Sequence, residues 1–204
     1  MKLYRLYIKN IFDFVAAFAG LVFFAPILAA IAAIIRIFDG SPVFFAQERV
    51  GRNFKLFKLI KFRTMVVGAE AKGAAVTKGE DPRITPIGKF LRRYKLDELP
   101  QLINVLKGDM SIVGPRPEVR LYVEAFLDDY KRILTIKPGI TDYATLEYRD
   151  EEKILNKFEN VQQGYLTEVL PEKIKLYYRY LDDMSFVADV KIIFKTLWRI
   201  VAPV

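Results

Sequence analysis

Residues 88–117 read GKFLRRYKLDELPQLINVLKGDMSIVGPRP, with the adjacent carboxylates Asp97 and Glu98 following the cations Lys89, Arg92, Arg93 and Lys95 and preceding Arg116, which stands between Pro115 and Pro117. Leu99, Leu102, Ile103 and Leu106 recur at helical spacing, so a helix follows the acidic pair and stops at Lys107-Gly108. The pair then sits at the positive end of that helix. Two readings fit. Asp97 is an N-cap, Glu98 a first-turn charge and Pro-Arg-Pro a stiff loop, or two carboxylates among cations handle a metal-bound phosphate.

Toward the N-terminus, Asp81-Pro82-Arg83 leads into a helix over 87–94, and the small, polar segment 69–80 reads as a short helix and a mobile loop. Strands are expected over 43–46 and 54–65 around a Gly51-Arg52-Asn53 turn. Arg49, Arg52, Lys55, Lys58, Lys61 and Arg63 make this hairpin a cationic ribbon suited to lie near phosphate. Residues 14–35 carry no charge, and as a helix they would reach roughly 33 Å, enough to cross the hydrocarbon core. The segment is too long for a signal peptide and lacks a cleavage site. Pro26 near its middle should break or kink the rod. Lys2, Arg5 and Lys9 precede it on a basic amphipathic lead-in, and Arg36 and the ribbon follow, so cations flank both ends. A spanning helix and a re-entrant one that returns to the cytoplasmic face both remain open on this evidence.

Toward the C-terminus, helices are expected over 118–130 and 165–181, the latter broken at Pro171, with a turn at Lys137-Pro138-Gly139 and an extended run over 141–149. Tyr177, Tyr178 and Tyr180 suit a core or a membrane interface. Residues 186–201 form an amphipathic helix in which Lys191, Lys195 and Arg199 recur every four positions beside Trp198.

The 204 residues suffice for one domain with a real core. A net charge of +8 suits an anionic partner. Cysteine and histidine are both absent, which excludes thiol nucleophiles, histidine triads, disulfides and Cys/His zinc sites. A nucleophile must be a carboxylate, hydroxyl or amine, and a metal must be a hard, oxygen-liganded one.

The ordered blocks Lys61-Phe62-Arg63-Thr64-Met65, Asp81-Pro82-Arg83-Ile84-Thr85 with Gly88, Leu96-Asp97-Glu98-Leu99-Pro100-Gln101-Leu102, Asn104-Val105-Leu106-Lys107-Gly108-Asp109-Met110-Ser111, Val113-Gly114-Pro115-Arg116-Pro117 and Pro138-Gly139-Ile140-Thr141 resemble those of bacterial sugar transferases, the small monotopic phosphoglycosyl transferases. The resemblance covers nearly the whole chain. It implies an α/β, mostly helical fold: a re-entrant membrane helix broken at Pro26 (residues 1–38), then a cytosolic catalytic region with a small β-hairpin and interfacial amphipathic helices (39–204). It also implies transfer of a phospho-sugar from a UDP-sugar to a polyprenol phosphate, with undecaprenyl phosphate expected, and release of UMP. The site would lie on the cytoplasmic face of the bacterial inner membrane, among membrane lipids and with no nucleic acid partner, and would open assembly of glycans such as O-antigen or capsule.

By the same resemblance Asp97 is the nucleophile and a magnesium ligand, and Glu98 positions the metal or acceptor. Arg116, Lys61 and Arg149 hold phosphate. A ping-pong reaction through an aspartyl phospho-sugar follows. The competing expectation is an inactive membrane scaffold of the same fold. The chain departs from many relatives at Asp142, Tyr143 and Thr145, where they carry Gly, Trp and Gln. It departs around Lys175 and Leu176, where an acidic residue is common, and at Ala25, which replaces the serine before the helix-breaking proline. These changes touch sugar and nucleotide contacts and the bend, not the acidic pair.

Overall fold

The computed structural model describes residues 4–69 and 81–201. The expected loop over 69–80 lies outside them except for Ala69, as does Lys2. Helix α1 (Lys9–Phe38) is one continuous element of 30 residues. Lys9, Asp13, Ala17, Ile31 and Ile35 are buried on one stripe, and Gly20 in the same stripe lies against Leu102. Phe14, Phe18, Val22, Phe23, Ile27 and Ile34 around the other sides are exposed. The helix runs through Pro26, which corrects the expected break. A proline removes only its own N–H and disturbs the carbonyl four residues back, so it interrupts a rung of the ladder and not the element.

The basic lead-in is revised as well. Lys9 is buried, donating to Asp189 Oδ2 at 2.6 Å with Asp13 at 3.7 Å. The Tyr4 and Tyr180 hydroxyls donate to the same Asp189. Asp189 belongs to α10 (Phe186–Val201), whose limits match the sequence expectation. The first and last helices are therefore joined through buried charge.

Strands β1 (Phe44–Val50) and β2 (Leu56–Phe62) pair antiparallel, Phe44 opposite Phe62 and Val50 opposite Leu56. Asn53 at φ 54° and Phe54 at φ 62° make the turn. Phe57 and Leu59 enter the core with Ala17, Val105 and Met110, while Phe62 on the opposite pleat packs under Ile31, Ile35 and Leu91. Lys61 shares the core-facing side of β2 with Phe57 and Leu59, so this residue of the cationic ribbon points inward. Arg63 turns inward too, capping the end of α1 through the Asp39 and Gly40 carbonyls at 2.6 and 3.0 Å.

The blocks of sequence lock in pairs. Thr85 caps α2 (Pro86–Arg93) by accepting from the Gly88 amide, and its own amide donates to the Thr64 carbonyl. A Cβ on Gly88 would lie 2.1 Å from that carbonyl oxygen, so only glycine permits the approach. Strands β3 (Ser111–Val113) and β4 (Gly139–Thr141) pair parallel, with the Gly139 amide donating to the Pro115 carbonyl at 2.9 Å. A Cβ on Gly139 would stand 2.1 Å from the Gly114 nitrogen. Gly139→Ala is expected to cost about 1–3 kcal/mol through overpacking and to displace the Pro115-Arg116 backbone. The melting temperature should fall, and an unchanged one would contradict this contact.

After α3 (Gln101–Leu106), the expected helix over 118–130 divides at Phe126 into α4 (Arg120–Ala125) and α5 (Leu127–Ile133), because Phe126 leaves the helical region at φ −128°, ψ 45°. The expected extended run over 141–149 is instead α6 (Tyr143–Glu147), since Asp142 caps it by accepting from the Thr145 amide at 2.6 Å. Helices α7 (Glu151–Leu155) and α8 (Val161–Gly164) follow, then a wide turn over Tyr165–Val169 and α9 (Leu170–Asp183). Pro171 sits in the first turn of α9, where its missing N–H is harmless. Tyr177 and Tyr180 are core residues.

Candidate active site

The acidic pair lies on a tight turn, Leu96–Glu98, just before Pro100 and α3, and not on the helix itself. Lys95 enters the turn at φ 55°. The turn faces β2 because Asn104 of α3 clasps that strand, accepting from the Ile60 amide at 3.0 Å and donating to the Lys58 carbonyl at 2.8 Å. This clasp sets Lys61 opposite Glu98.

Lys61 Nζ donates to Glu98 Oε1 at 2.8 Å, and Arg116 Nη2 reaches the same oxygen at 2.7 Å. Arg116 Nη1 approaches Oε2 at 3.4 Å. Burial alone would raise the Glu98 carboxyl, but Arg116 and Lys61 outweigh it and hold it well below the usual glutamate range. Glu98 in turn raises Arg116, while burial lowers Lys61. Asp97 shifts the opposite way. Burial raises its carboxyl and the Glu98 charge adds to that, with Lys61 opposing. Two neighbouring carboxylates thus have divided properties, one committed to cations and one left basic.

Asp97 Oδ1 is buried and has no hydrogen-bond partner among the described residues. Neither Asp97 nor Glu98 caps a helix, so the N-cap reading of the sequence does not hold. Both line a cavity of about 1100 Å³ together with Lys61, Arg116 and Arg149. The structure therefore brings all five sequence-expected residues to one hollow, while Pro26 lies apart on an exposed face of α1. Lys89, Arg93 and Lys95 add a cationic rim, and Arg92 ties Thr64 at 3.1 Å to Glu152 at 2.9 Å.

The donor set can be tested against magnesium. Both Glu98 oxygens face cations, whereas Asp97 Oδ1 is a hard oxygen without a partner. Among the described residues no group of three acidic, histidine or cysteine ligands is gathered. One carboxylate completed by substrate phosphate oxygens and water is how magnesium is commonly held, so Asp97 fits it.

A second charged group went unread in the sequence. Lys173 Nζ donates to Glu151 Oε2 at 2.8 Å and to the Tyr165 hydroxyl at 3.0 Å. Tyr165 donates to Glu118 at 2.6 Å, and Arg49 approaches Glu118 at 3.6 Å while donating to the Pro117 carbonyl at 3.2 Å. The signal was available: Lys173 falls in the buried stripe Leu170, Ile174, Tyr177, Leu181 of α9, where a lone ammonium needs buried partners.

The sequence model for bacterial sugar transferases matches residues 4–203. The UDP-N-acetylgalactosamine-undecaprenyl-phosphate N-acetylgalactosaminephosphotransferase of Aeromonas hydrophila is 36% identical over 196 residues, covering 94% of this chain and 43% of that protein. The UDP-glucose:undecaprenyl-phosphate glucose-1-phosphate transferase of Escherichia coli (strain K12) is 36% identical, with 94% and 40% covered. The exopolysaccharide production protein ExoY of Rhizobium meliloti (strain 1021) is 33% identical over 204 residues, with 93% and 83% covered. The chain thus spans less than half the length of the first two relatives and most of the third. With the sequence model matching almost end to end, the chain belongs to the bacterial sugar transferase family.

Proposed function

We propose that this chain transfers a sugar 1-phosphate from a UDP-sugar to a polyprenol phosphate, with undecaprenyl phosphate as acceptor and Asp97 as nucleophile. The observation that carries the reading is the unpartnered Asp97 oxygen, buried on the cavity wall beside cations held in place by Glu98. A carboxylate can act covalently without a histidine or cysteine. Asp97 attacks the sugar-proximal phosphorus, forming an acyl phosphate as the bond to the bridging oxygen breaks and UMP leaves with that oxygen. A phosphate oxygen of the acceptor then attacks the same phosphorus, breaking the aspartyl bond and restoring the carboxylate. UMP thus leaves before the acceptor reacts, which is a ping-pong scheme.

Lys61 and Arg116 place positive charge where phosphate arrives, and Arg116 retains N–H donors beyond those facing Glu98. Arg149 adds a cation to the same cavity. Bound magnesium would screen the repulsion between an anionic nucleophile and an anionic donor. Glu98 acts on the cations, as a positioning residue.

The exposed apolar sides of α1, with Phe186, Phe194, Leu197 and Trp198 of α10, support membrane association. Both ends of α1 touch one folded body, Lys9 at Asp189 and Ile35 at Phe62 and Leu91. That supports a re-entrant helix with both ends on the cytoplasmic face of the inner membrane. The test is UMP release by the full chain in nanodiscs, offered UDP-sugars with undecaprenyl phosphate and magnesium. Sustained release should require both acceptor and Asp97, and without acceptor the wild type should release no more than about one UMP per enzyme. A folded protein that releases none would favour a scaffold.

A further inference from the structure

Glu151 opens α7 on the wall of the cavity that holds Asp97 and Arg116. Its side chain keeps 25% exposure, while Lys173, which grips its Oε2, keeps 2%. The grip is itself braced, since Lys173 is also held by the Tyr165 hydroxyl and lies 3.7 Å from Glu118. Removing an ammonium from water costs several kcal/mol unless its partners are fixed, so this arrangement immobilises the carboxylate. Among the described residues no hydrogen bond is made to Glu151 Oε1, which leaves it as an acceptor at the cavity surface. Lys173 and Arg116 keep Glu151 ionised against the effect of burial.

An anionic acceptor is the wrong partner for phosphate and a strong one for O–H. The cavity therefore has two chemistries, cations at Lys61, Arg116 and Arg149 and a rigid acceptor at Glu151. A UDP-sugar has the matching halves, a diphosphate and hydroxyl-bearing rings. We propose that Glu151, clamped by Lys173, accepts a hydrogen bond from a hydroxyl of the nucleotide-sugar donor and fixes the donor's neutral part while the cations take its diphosphate. This inference rests on the phospho-sugar transfer reading. The hydroxyl belongs either to the ribose or to the transferred sugar.

The test uses the full chain in nanodiscs, UMP release, and the UDP-sugar that the wild type turns over. Glu151→Gln should raise the donor KM and lower kcat/KM by about 10–100-fold, the effect of losing a hydrogen bond to a charged group, with the acceptor KM unchanged. Donors lacking single hydroxyls on the ribose or on the sugar then locate the contact. The analogue missing the hydroxyl that Glu151 holds should lose a similar factor with the wild type and little more with Glu151→Gln. Equal losses by the variant on every analogue would assign Glu151 a structural role only and overturn the proposal. Should the variant misfold, the wild type still decides: if no deoxy donor loses more than about threefold, well short of a charge-assisted hydrogen bond, the proposal fails. A wild type that releases no UMP from any UDP-sugar defeats the underlying reading as well, whereas a working wild type indifferent to Glu151 defeats this proposal alone.

Discussion

Asp97→Asn is expected to abolish turnover, by at least about 10⁴-fold as for other nucleophile removals, while making the protein more stable. The amide keeps the shape of the side chain but cannot form an acyl phosphate. Its effect on stability follows from the raised Asp97 carboxyl. A folded state that binds a proton more tightly than the unfolded chain loses stability as pH rises from the ordinary aspartate value, about 3.9, until the folded-state value is passed. The uncharged amide would escape that penalty. In buffer with a chelator at neutral pH the variant should melt higher, by about 2–4 °C for each kcal/mol recovered, and the advantage should vanish in acid, where Asp97 is protonated in both states. Magnesium should narrow the gap by stabilising the wild type alone. Membrane association should be unchanged. Substantial turnover by the variant would remove Asp97 as nucleophile, and a lower melting temperature in chelator would contradict its electrostatic setting.

Glu98→Gln should do the opposite to stability. The carboxylate balances Lys61 and Arg116, and neutralising it strands two partly buried cations side by side. Removing one partner of a buried pair costs about 3–5 kcal/mol. The lower end applies because Arg116 keeps 31% of its side chain exposed. A loss of about 3 kcal/mol corresponds to a fall of roughly 6–12 °C for a chain of this size. The Glu98 carboxyl is held well below its usual range, so its contribution is present above the unfolded value near 4.3 and fades as pH falls toward the folded one. The deficit should therefore shrink in acid. UDP should protect this variant more than the wild type, because two cations would lack their carboxylate. Equal melting temperatures at neutral pH would mean that Glu98 does not hold the cations. With the expected result, the adjacent carboxylates differ in sign, one traded against stability and one sustaining it.

The strands, the last helix and the acidic pair were legible because each follows a local rule. The Gly51-Arg52-Asn53 turn marked the hairpin, four-residue spacing marked α10, and the spacing of Leu99, Leu102, Ile103 and Leu106 marked α3. Convergence was not local. Nothing in the sequence around Lys61 says that Asn104 will clasp the strand and set Lys61 against Glu98. Two cations of the ribbon turn inward for the same reason, since Arg49 and Arg63 find their partners at Glu118 and at the end of α1. Asp142, noted only as a departure, proved to be the cap that makes 143–147 helical. Pro26 does not end the helix, because a proline's local penalty is set against a strongly helical apolar context. The Lys173 network was missed because a charged run and an amphipathic helix each looked ordinary alone.

The buried contact between Lys9 and Asp189 has a consequence in time. The two residues are 180 positions apart, so at about 5–20 residues per second the lysine leaves the ribosome on the order of ten seconds or more before its partner. Among the described residues, Asp13, at 3.7 Å, is the carboxylate of α1 itself that can balance Lys9 during that interval. The apolar helix must therefore find its place with this end unlatched, and the arrival of α10 fastens it. A chain stopped short of residue 189 would keep its acidic pair and its arginine but never complete that fastening. The latch between the first and last helices therefore closes only once Asp189 has been made.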